Sequence, residues 1–344
     1  MASDMKSKHY TLKKHFVGLP QEDDFGHFEE AITPLADGEF LAQALYLSVD
    51  PYMRPYSRNM KEGTKMIGGG VGRVVDSKNE EFPKGCLVVG PFGWSTHVVS
   101  NQGIIKMFRK IPEIENPSLA LGGLGLTGMT AYFGLLNICE PKAGETVFVN
   151  AAAGATGSVV GQIAKIKGCR VVGCAGSDAK VEYLKEIGFD GAFNYKTADL
   201  EKELKNLCPK GIDCFFDNVG GKMYDTVLKQ MNRHGRISLC GCISLYNENT
   251  DGFGNTKGEN TVHPNSLSPY VHFEAIPKEL KIQGFIVTSY YDKGFMDAFT
   301  ELSQWIKEGK IDAREHVVEG FESMPKAFIS LFHGENIGKI VVKV

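Results

Sequence analysis

The sequence has no long basic block, no cysteine pair at C-x-x-C spacing, no uninterrupted apolar run of membrane-spanning length and almost no charge imbalance. Each absence removes a class of function. Lys and Arg total 38 against 41 Asp and Glu, so binding by counterion release is not expected, nor is a nucleic-acid partner. The long uncharged stretch from Pro117 to Cys139 is interrupted by Gly122, Gly123, Gly125, Gly128, Gly134 and Asn137. That pattern points to a buried helix entering a domain, with no membrane partner. Met1–Tyr10 is polar and charged, without an apolar run and cleavage site, so no secretory signal is expected. The eight cysteines then read as reduced thiols of a cytoplasmic protein, each a small buried hydrophobe. No internal repeat occurs at solenoid spacing.

What is present is a chain of 344 residues, 42 % apolar, long enough for two domains with a sizeable core. Its 40 glycines follow no three-residue period and lie among strand-like runs, which implies tight turns and close backbone approaches. Between residues 144 and 290 extended runs alternate with helical patterns. Strands are predicted at Thr146–Asn150, Arg170–Ala175, Ala192–Tyr195, Asp213–Asp217, Arg236–Cys240 and Lys281–Val287. The first five start 24, 22, 21 and 23 residues apart, the length of a strand plus a crossover helix. A doubly wound parallel sheet of the α/β class follows. Ser158–Lys167 and Lys180–Ile187 carry apolar residues at helical period between the strands. Residues 1 to about 120 instead hold short apolar runs, Glu39–Ser48, Gly70–Asp76 and Leu87–Val89, punctuated by turns, and read as a compact β domain. The tail predicts helices near Gly294–Lys307 and Met324–Leu331 and a last strand at Lys339–Val344. The gap from Gly241 to Leu280 contains the polar run Asn247–Asn260, which reads as a lid or mobile insertion.

The sharpest local signal is Val147 to Ser158: a strand, a small-residue turn and a helix start. Against G-x-G-x-x-G, Ala152 replaces the first glycine while Gly154 and Gly157 keep the second and third places. Gly154 would admit a pyrophosphate to the backbone, and Gly157 would let helix and strand pack closely, with the anion at the helix N-terminus. A plain small-residue packing turn is the alternative. At the end of the second strand, Cys174, Ala175, Gly176 and Ser177 stand where an NAD enzyme carries an acid for the ribose hydroxyls. With Ser177 and Lys180 as phosphate donors, NADP(H) is the expected dinucleotide, and Asp178 is expected to cap the next helix. The alternative for Lys180 is a solvated first-turn lysine.

These residues, together with Val49–Arg54 (VDPYMR), Thr130–Leu136 (TAYFGLL), Phe216–Gly221 (FDNVGG) and Gly334–Lys339 (GENIGK), resemble the zinc-independent medium-chain dehydrogenase/reductase superfamily. Within it the chain is similar to the leukotriene 12-hydroxydehydrogenase and 15-oxo-prostaglandin 13-reductase group, over nearly its whole length. The resemblance implies a GroES-like β-barrel domain at 1–124, completed by 310–344, and a Rossmann domain at 125–309, usually as a homodimer. It implies NADPH-dependent reduction of the carbon–carbon double bond of α,β-unsaturated ketones and aldehydes, with enone, enal or eicosanoid substrates. Hydride would go to the β-carbon and negative charge to the carbonyl oxygen, which the protein must stabilise. By motif, Cys240, Gly241, Cys242, Ile243, Ser244, Leu245 and Tyr246 follow the fifth strand, where the family's Tyr meets cofactor and substrate oxygen. Tyr246 is thus the expected catalytic residue, with a structural tyrosine anchoring the loop as the alternative. Further implied cofactor contacts are Gly154, Ala155, Thr156, Gly157, Lys180, Tyr195, Asn218, Phe285, Ile286, Val287 and Asn336. For substrate, Tyr52, Phe92 and Trp94 are expected to line an apolar channel, and aromatic core is the alternative for Phe92 and Trp94.

Zinc-dependent relatives carry a Cys ligand near Val49, a Gly-His-Glu where this chain has Gly68-Gly69-Gly70, and a four-Cys lobe. None of these ligands is in the sequence, so no metal is expected. Alcohol oxidation would then lack its Lewis acid, whereas enone reduction needs only hydrogen bonds to a delocalised enolate. The chain departs from the group at Leu126-Thr127-Gly128-Met129, at Gly69-Gly70-Val71 and in a longer 247–275 loop bearing His263, Tyr270, His272 and Phe273. Those departures bear on substrate choice. A quinone oxidoreductase and a non-catalytic NADPH-binding protein are the competing readings.

Overall fold

The computed structural model describes residues 5–248 and 271–344. The chain divides into two compact units, one of 1–121, 316–336 and 340–344 and one of 122–315 and 337–339.

In the first unit, β1 (Lys6–Leu12) and β2 (Phe25–Ala31) pair as an antiparallel hairpin. The main strands are β3 (Phe40–Ser48), β4 (Gly70–Ser77), β5 (Leu87–Gly90), β6 (His97–Val99) and β7 (Arg109–Ile111), with a short helix α1 (Met53–Tyr56) after β3. From the C-terminal part come β14 (Glu315–Glu319), α9 (Met324–His333) and β15 (Lys339–Lys343). The sheet order is β14-β15-β3-β4-β5-β7, with β6 also paired to β3. Here β15 pairs antiparallel to β3, so the chain's last strand completes a sheet begun near its start. The hairpin is laced to the segment around Trp94: the Tyr10 N–H donates to the Trp94 carbonyl at 2.9 Å. Leu12, Phe40, Leu47, Met53, Trp94 and Phe328 are fully or almost fully buried and form the core.

In the second unit the predicted beat is present. α2 (Leu126–Phe133) runs into a π-turn at Gly134–Cys139 and ends at Glu140, whose φ is +46°. Then come β8 (Thr146–Val149), α3 (Ala155–Ile166), β9 (Arg170–Ala175), α4 (Asp178–Glu186), β10 (Gly191–Asn194), α5 (Leu200–Leu207), β11 (Ile212–Asp217), α6 (Gly221–Gln230) and β12 (Met231–Leu239). After the undescribed stretch follow α7 (Val271–Lys278), β13 (Lys281–Gly284) and α8 (Phe295–Lys307). Every pair in the six-stranded sheet is parallel, in the order β10-β9-β8-β11-β12-β13. All four residues of β8 are buried, as a central parallel strand covered on both faces requires. Val159, Val160 and Ile163 of α3 turn one face into that core. No helix among the described residues is long and apolar enough to cross a membrane.

The sixth strand is shorter than its sequence pattern implied. It stops at Gly284, and a 3-10 turn from Val287 takes over.

Candidate functional site

In a doubly wound sheet the ligand crevice opens at the carboxyl ends of the strands where the order reverses. Here that point lies between β8 and β11, neighbours in space but far apart in sequence. The chain leaves β8 through Asn150 and β11 through Asp217, and the two side chains meet: Asn150 Nδ2 donates to Asp217 Oδ1 at 2.6 Å. The Val219 and Gly220 N–H groups donate to the same oxygen at 3.0 and 2.9 Å. Asn218 closes the ring, its N–H reaching Asn150 Oδ1 at 2.7 Å and its Nδ2 the Asn150 carbonyl at 3.0 Å. Asp217 is 2 % exposed, and burial raises its pKa despite the bonds from Gly220, Asn150 and Val219 that favour its charge.

The first loop is built for close approach. Ala151 sits at φ +45°, turning the chain so that the Gly154 N–H donates back to the Ala151 carbonyl at 3.0 Å. Gly154 is the N-cap of α3, without a side chain over the helix end. A Cβ on Gly157 would lie 2.6 Å from the Ala151 oxygen and 2.8 Å from Ala152 Cα, so helix and turn meet at a distance only glycine permits. The free N–H groups of the first turn of α3 are the donors a pyrophosphate needs. Across the loop, the Gly338 N–H donates to the Ala153 carbonyl at 2.8 Å.

At the end of β9, Ser177 caps α4: its Oγ accepts the Lys180 N–H at 3.4 Å. This corrects the expectation for Asp178, which is the first helical residue and accepts Asn194 Nδ2 at 2.8 Å instead. A short polar side chain one residue earlier reaches the third-residue N–H, and it takes the cap. Lys180 is half-buried; burial, and after it the like charge of Lys196, lowers its pKa. The exposed Tyr195 follows β10, its N–H donating to the Ala175 carbonyl at 3.1 Å.

The turn after β12 is laid on the β11 turn. The Cys240 and Gly241 N–H groups donate to the Asp217 carbonyl at 2.8 and 3.1 Å, and the Ile243 N–H to the Asn218 carbonyl at 3.2 Å. Ser244 Oγ donates to the Val219 carbonyl at 2.6 Å. A 3-10 turn, Ile243–Leu245, then carries half-buried Tyr246 back over its own start. The Tyr246 hydroxyl accepts the Cys242 N–H at 3.4 Å and stands 3.1 Å from where a Gly241 Cβ would be.

The structure therefore brings Gly154–Gly157, Asn218 and Cys240–Tyr246 to one edge of the sheet, with Ser177, Lys180 and Tyr195 at the neighbouring strand ends. Phe285 and Val287 are packed against this unit's core, while Ile286 is 58 % exposed. In the first unit Asn336 is buried after α9. Tyr52 precedes α1 and meets Tyr56 edge to face. Phe92 is also buried, edge-on to Phe108 in the same core, and borders a cavity of about 520 Å³ within that unit. Trp94 departs from the channel-lining expectation: it is fully buried, stacked on Phe25 at 5.1 Å and edge-on to Phe328. Of the 247–275 loop, His263 and Tyr270 lie outside the described residues, and His272 and Phe273 begin α7. Asn150 and Asp217 were missed as site residues; a polar residue ending each of two adjacent strands was the available signal.

The donor set fits a phosphorylated dinucleotide: open helix-terminal N–H groups over a glycine cradle, and an ammonium at the second strand end where an acid would repel a 2′-phosphate. A model described as the N-terminal domain of oxidoreductase matches residues 8–108, and one described as zinc-binding dehydrogenase matches 155–308. Prostaglandin reductase 1 of Bos taurus is 51 % identical over 340 residues, 98 % of this chain and 99 % of that protein. The 2-alkenal reductase (NADP(+)-dependent) of Nicotiana tabacum is 41 % identical over 360 aligned positions, covering 100 % of this chain and 99 % of that one. The crystal structure of CurA from Vibrio vulnificus in complex with NADPH superposes with a TM-score of 0.88 at 38 % identity, over 98 % of this chain and 99 % of that one. On full-length likeness joined to this site, the chain belongs to the zinc-independent medium-chain dehydrogenase/reductase family of NADP(H)-dependent oxidoreductases.

Proposed function

We propose that this chain reduces the carbon–carbon double bond of α,β-unsaturated ketones and aldehydes. The observation that carries the reading is the place of Tyr246, its hydroxyl over the turn after β12, where it accepts the Cys242 N–H at 3.4 Å beside the dinucleotide turns. When bound, NADPH supplies the hydride for the β-carbon, and the enolate then takes a proton at its α-carbon from water to give the saturated carbonyl. The Tyr246 O–H would donate to the carbonyl oxygen as that oxygen gains charge, and a donor already in place needs no reorganisation at that moment. Ala155 and Thr156, in the first turn of α3, with Gly154 and Gly157, would take the pyrophosphate. Ser177, Lys180 and Tyr195 would take the 2′-phosphate. Asn218, the Cys240–Tyr246 turn, Phe285–Val287 and Asn336 would orient the nicotinamide half. Asn218 Nδ2 gives one of its N–H groups to the Asn150 carbonyl, so part of its role is to hold the turn that presents backbone groups.

In this reading 1–124 with 310–344 forms the catalytic and substrate domain and 125–309 the cofactor domain. Tyr52 and Phe92 would contact an apolar substrate, and Trp94 would support them from the core. The similarity to prostaglandin reductase 1 and to 2-alkenal reductase supports enones and enals, eicosanoids included, as the substrate class. A cytoplasmic homodimer is part of the proposal; the parallel sheet has edge strands, β10 and β13, that a second copy could extend.

The test is NADPH absorbance decay with purified protein on a 15-oxo-prostaglandin, a medium-chain 2-alkenal and a simple quinone, with and without a chelator. The proposal expects chelator-resistant turnover of the first two to saturated carbonyl products. Turnover of the quinone alone, or tight NADPH binding with no turnover, contradicts it.

A further inference from the structure

Where β9 and β10 end, the phosphate end of the candidate cofactor site holds a second cation. A Cβ built on Gly176 would stand 3.1 Å from Tyr195 Oη and 3.3 Å from Lys196 Cε, so both side chains fold back over the end of β9. Their backbone is pinned there: Tyr195 donates to the Ala175 carbonyl at 3.1 Å and the Lys196 N–H to Asn194 Oδ1, also at 3.1 Å. Across the gap Lys180 rises from the first turn of α4 and feels Lys196 as a like charge. The nearby carboxylate, Asp178, accepts Asn194 Nδ2 at 2.8 Å and forms no ion pair with either lysine among the described residues. Among the described residues neither ammonium has a carboxylate partner. Lys180 and the exposed Lys196, neither in an ion pair among the described residues, add positive potential at the end of β9, where an anion between them would be stabilised.

A phosphate monoester carries about −1.5 to −2 charge at neutral pH, more than one lysine neutralises. We propose that Lys196 is a specificity-determining residue of this chain, joining Lys180 and the Tyr195 hydroxyl around the 2′-phosphate and so selecting NADPH over NADH. The inference rests on the reading of the chain as NADPH-dependent. A lysine gives a point charge on a flexible stem, so its contribution is electrostatic and screened by salt.

The experiment compares the full-length wild type, Lys196→Ala and Lys196→Arg by calorimetric titration with NADP⁺, NAD⁺ and 2′,5′-ADP. It also measures the ratio of kcat/KM with NADPH to that with NADH on one 2-alkenal. Lys196→Ala should weaken NADP⁺ and 2′,5′-ADP about tenfold, as loss of one charge-assisted contact does, and lower the NADPH/NADH ratio about as much. Lys196→Arg should stay within about threefold of wild type, and raising the salt should shrink the gap. Equal weakening of NADP⁺ and NAD⁺, or no change in either, overturns the role of Lys196 while leaving NADPH dependence standing. A wild type that binds NAD⁺ as tightly as NADP⁺ overturns the underlying reading, and the inference with it.

Discussion

Asn150→Ala should reveal how the switch point is held together. The amide makes two side-chain bonds, one to a buried carboxylate and one to the Asn218 N–H. A hydrogen bond to a charged group contributes roughly 1.5–3 kcal/mol and a neutral one roughly 0.5–1.5 kcal/mol, so the variant should lose about 3 kcal/mol where Asp217 is ionised. The loss should depend on pH, with a sign set by Asp217. Burial raises its folded pKa above the unfolded value, so its contribution to stability is full below the unfolded pKa, near 4, and declines as pH rises through the folded one. The Asn150 bond favours the ionised form. Without it the folded pKa rises further, and the decline extends to higher pH, at about 1.4 kcal/mol per unit of added shift. Urea unfolding of wild type and variant from about pH 4 to about pH 8 should therefore show a stability gap that is smaller at the acid end, near the unfolded pKa, than at the alkaline end. A constant gap would refute the coupling of Asn150 to the Asp217 charge; no gap would refute the network's contribution to stability.

Gly157→Ala should weaken NADPH binding and lower Tm, because its Cβ meets the Ala151 oxygen at 2.6 Å and must part helix from turn, at a cost of about 1–3 kcal/mol. Unchanged binding and Tm would mean the turn is looser than its geometry indicates. Tyr246→Phe should lower kcat by roughly 10²–10³, as loss of one oxyanion donor does, with NADPH affinity much less affected; equal loss of both would count against a catalytic hydroxyl. Gly241→Ala should reduce kcat in the same direction but less, since a Cβ 3.1 Å from the tyrosine oxygen forces a shift of a few tenths of an ångström. Full activity there would show that Tyr246 Oη need not sit over Gly241.

Periodicity made the parallel sheet legible, because each βα unit is local: strand spacing and the apolar face of α3 are fixed by near neighbours in sequence. The β1–β2 hairpin was not legible. Its β2, with burial that fades to exposed after Phe25 and Gly26, lacks the alternation of a half-buried strand. The cap of α4 was read one residue late because Ser177 and Asp178 are both good caps, and only the backbone decides which side chain reaches the Lys180 N–H. Trp94 shows a different limit. An aromatic in a Gly-flanked turn suits a channel wall and a core equally, and contacts with Phe25 and Phe328, far along the chain, settle its place. Asn150 and Asp217 met only when strands 67 residues apart in sequence came to lie side by side.

The most direct test of the account follows the hydride itself. Wild type is given deuterium-labelled NADPH, the label on the transferring face of the nicotinamide, with a 2-alkenal, and the product is read by NMR. The account predicts a saturated aldehyde with deuterium on the β-carbon and none on the carbonyl carbon. Deuterium on the carbonyl carbon, with the double bond intact, would make this an alcohol-forming dehydrogenase and contradict it.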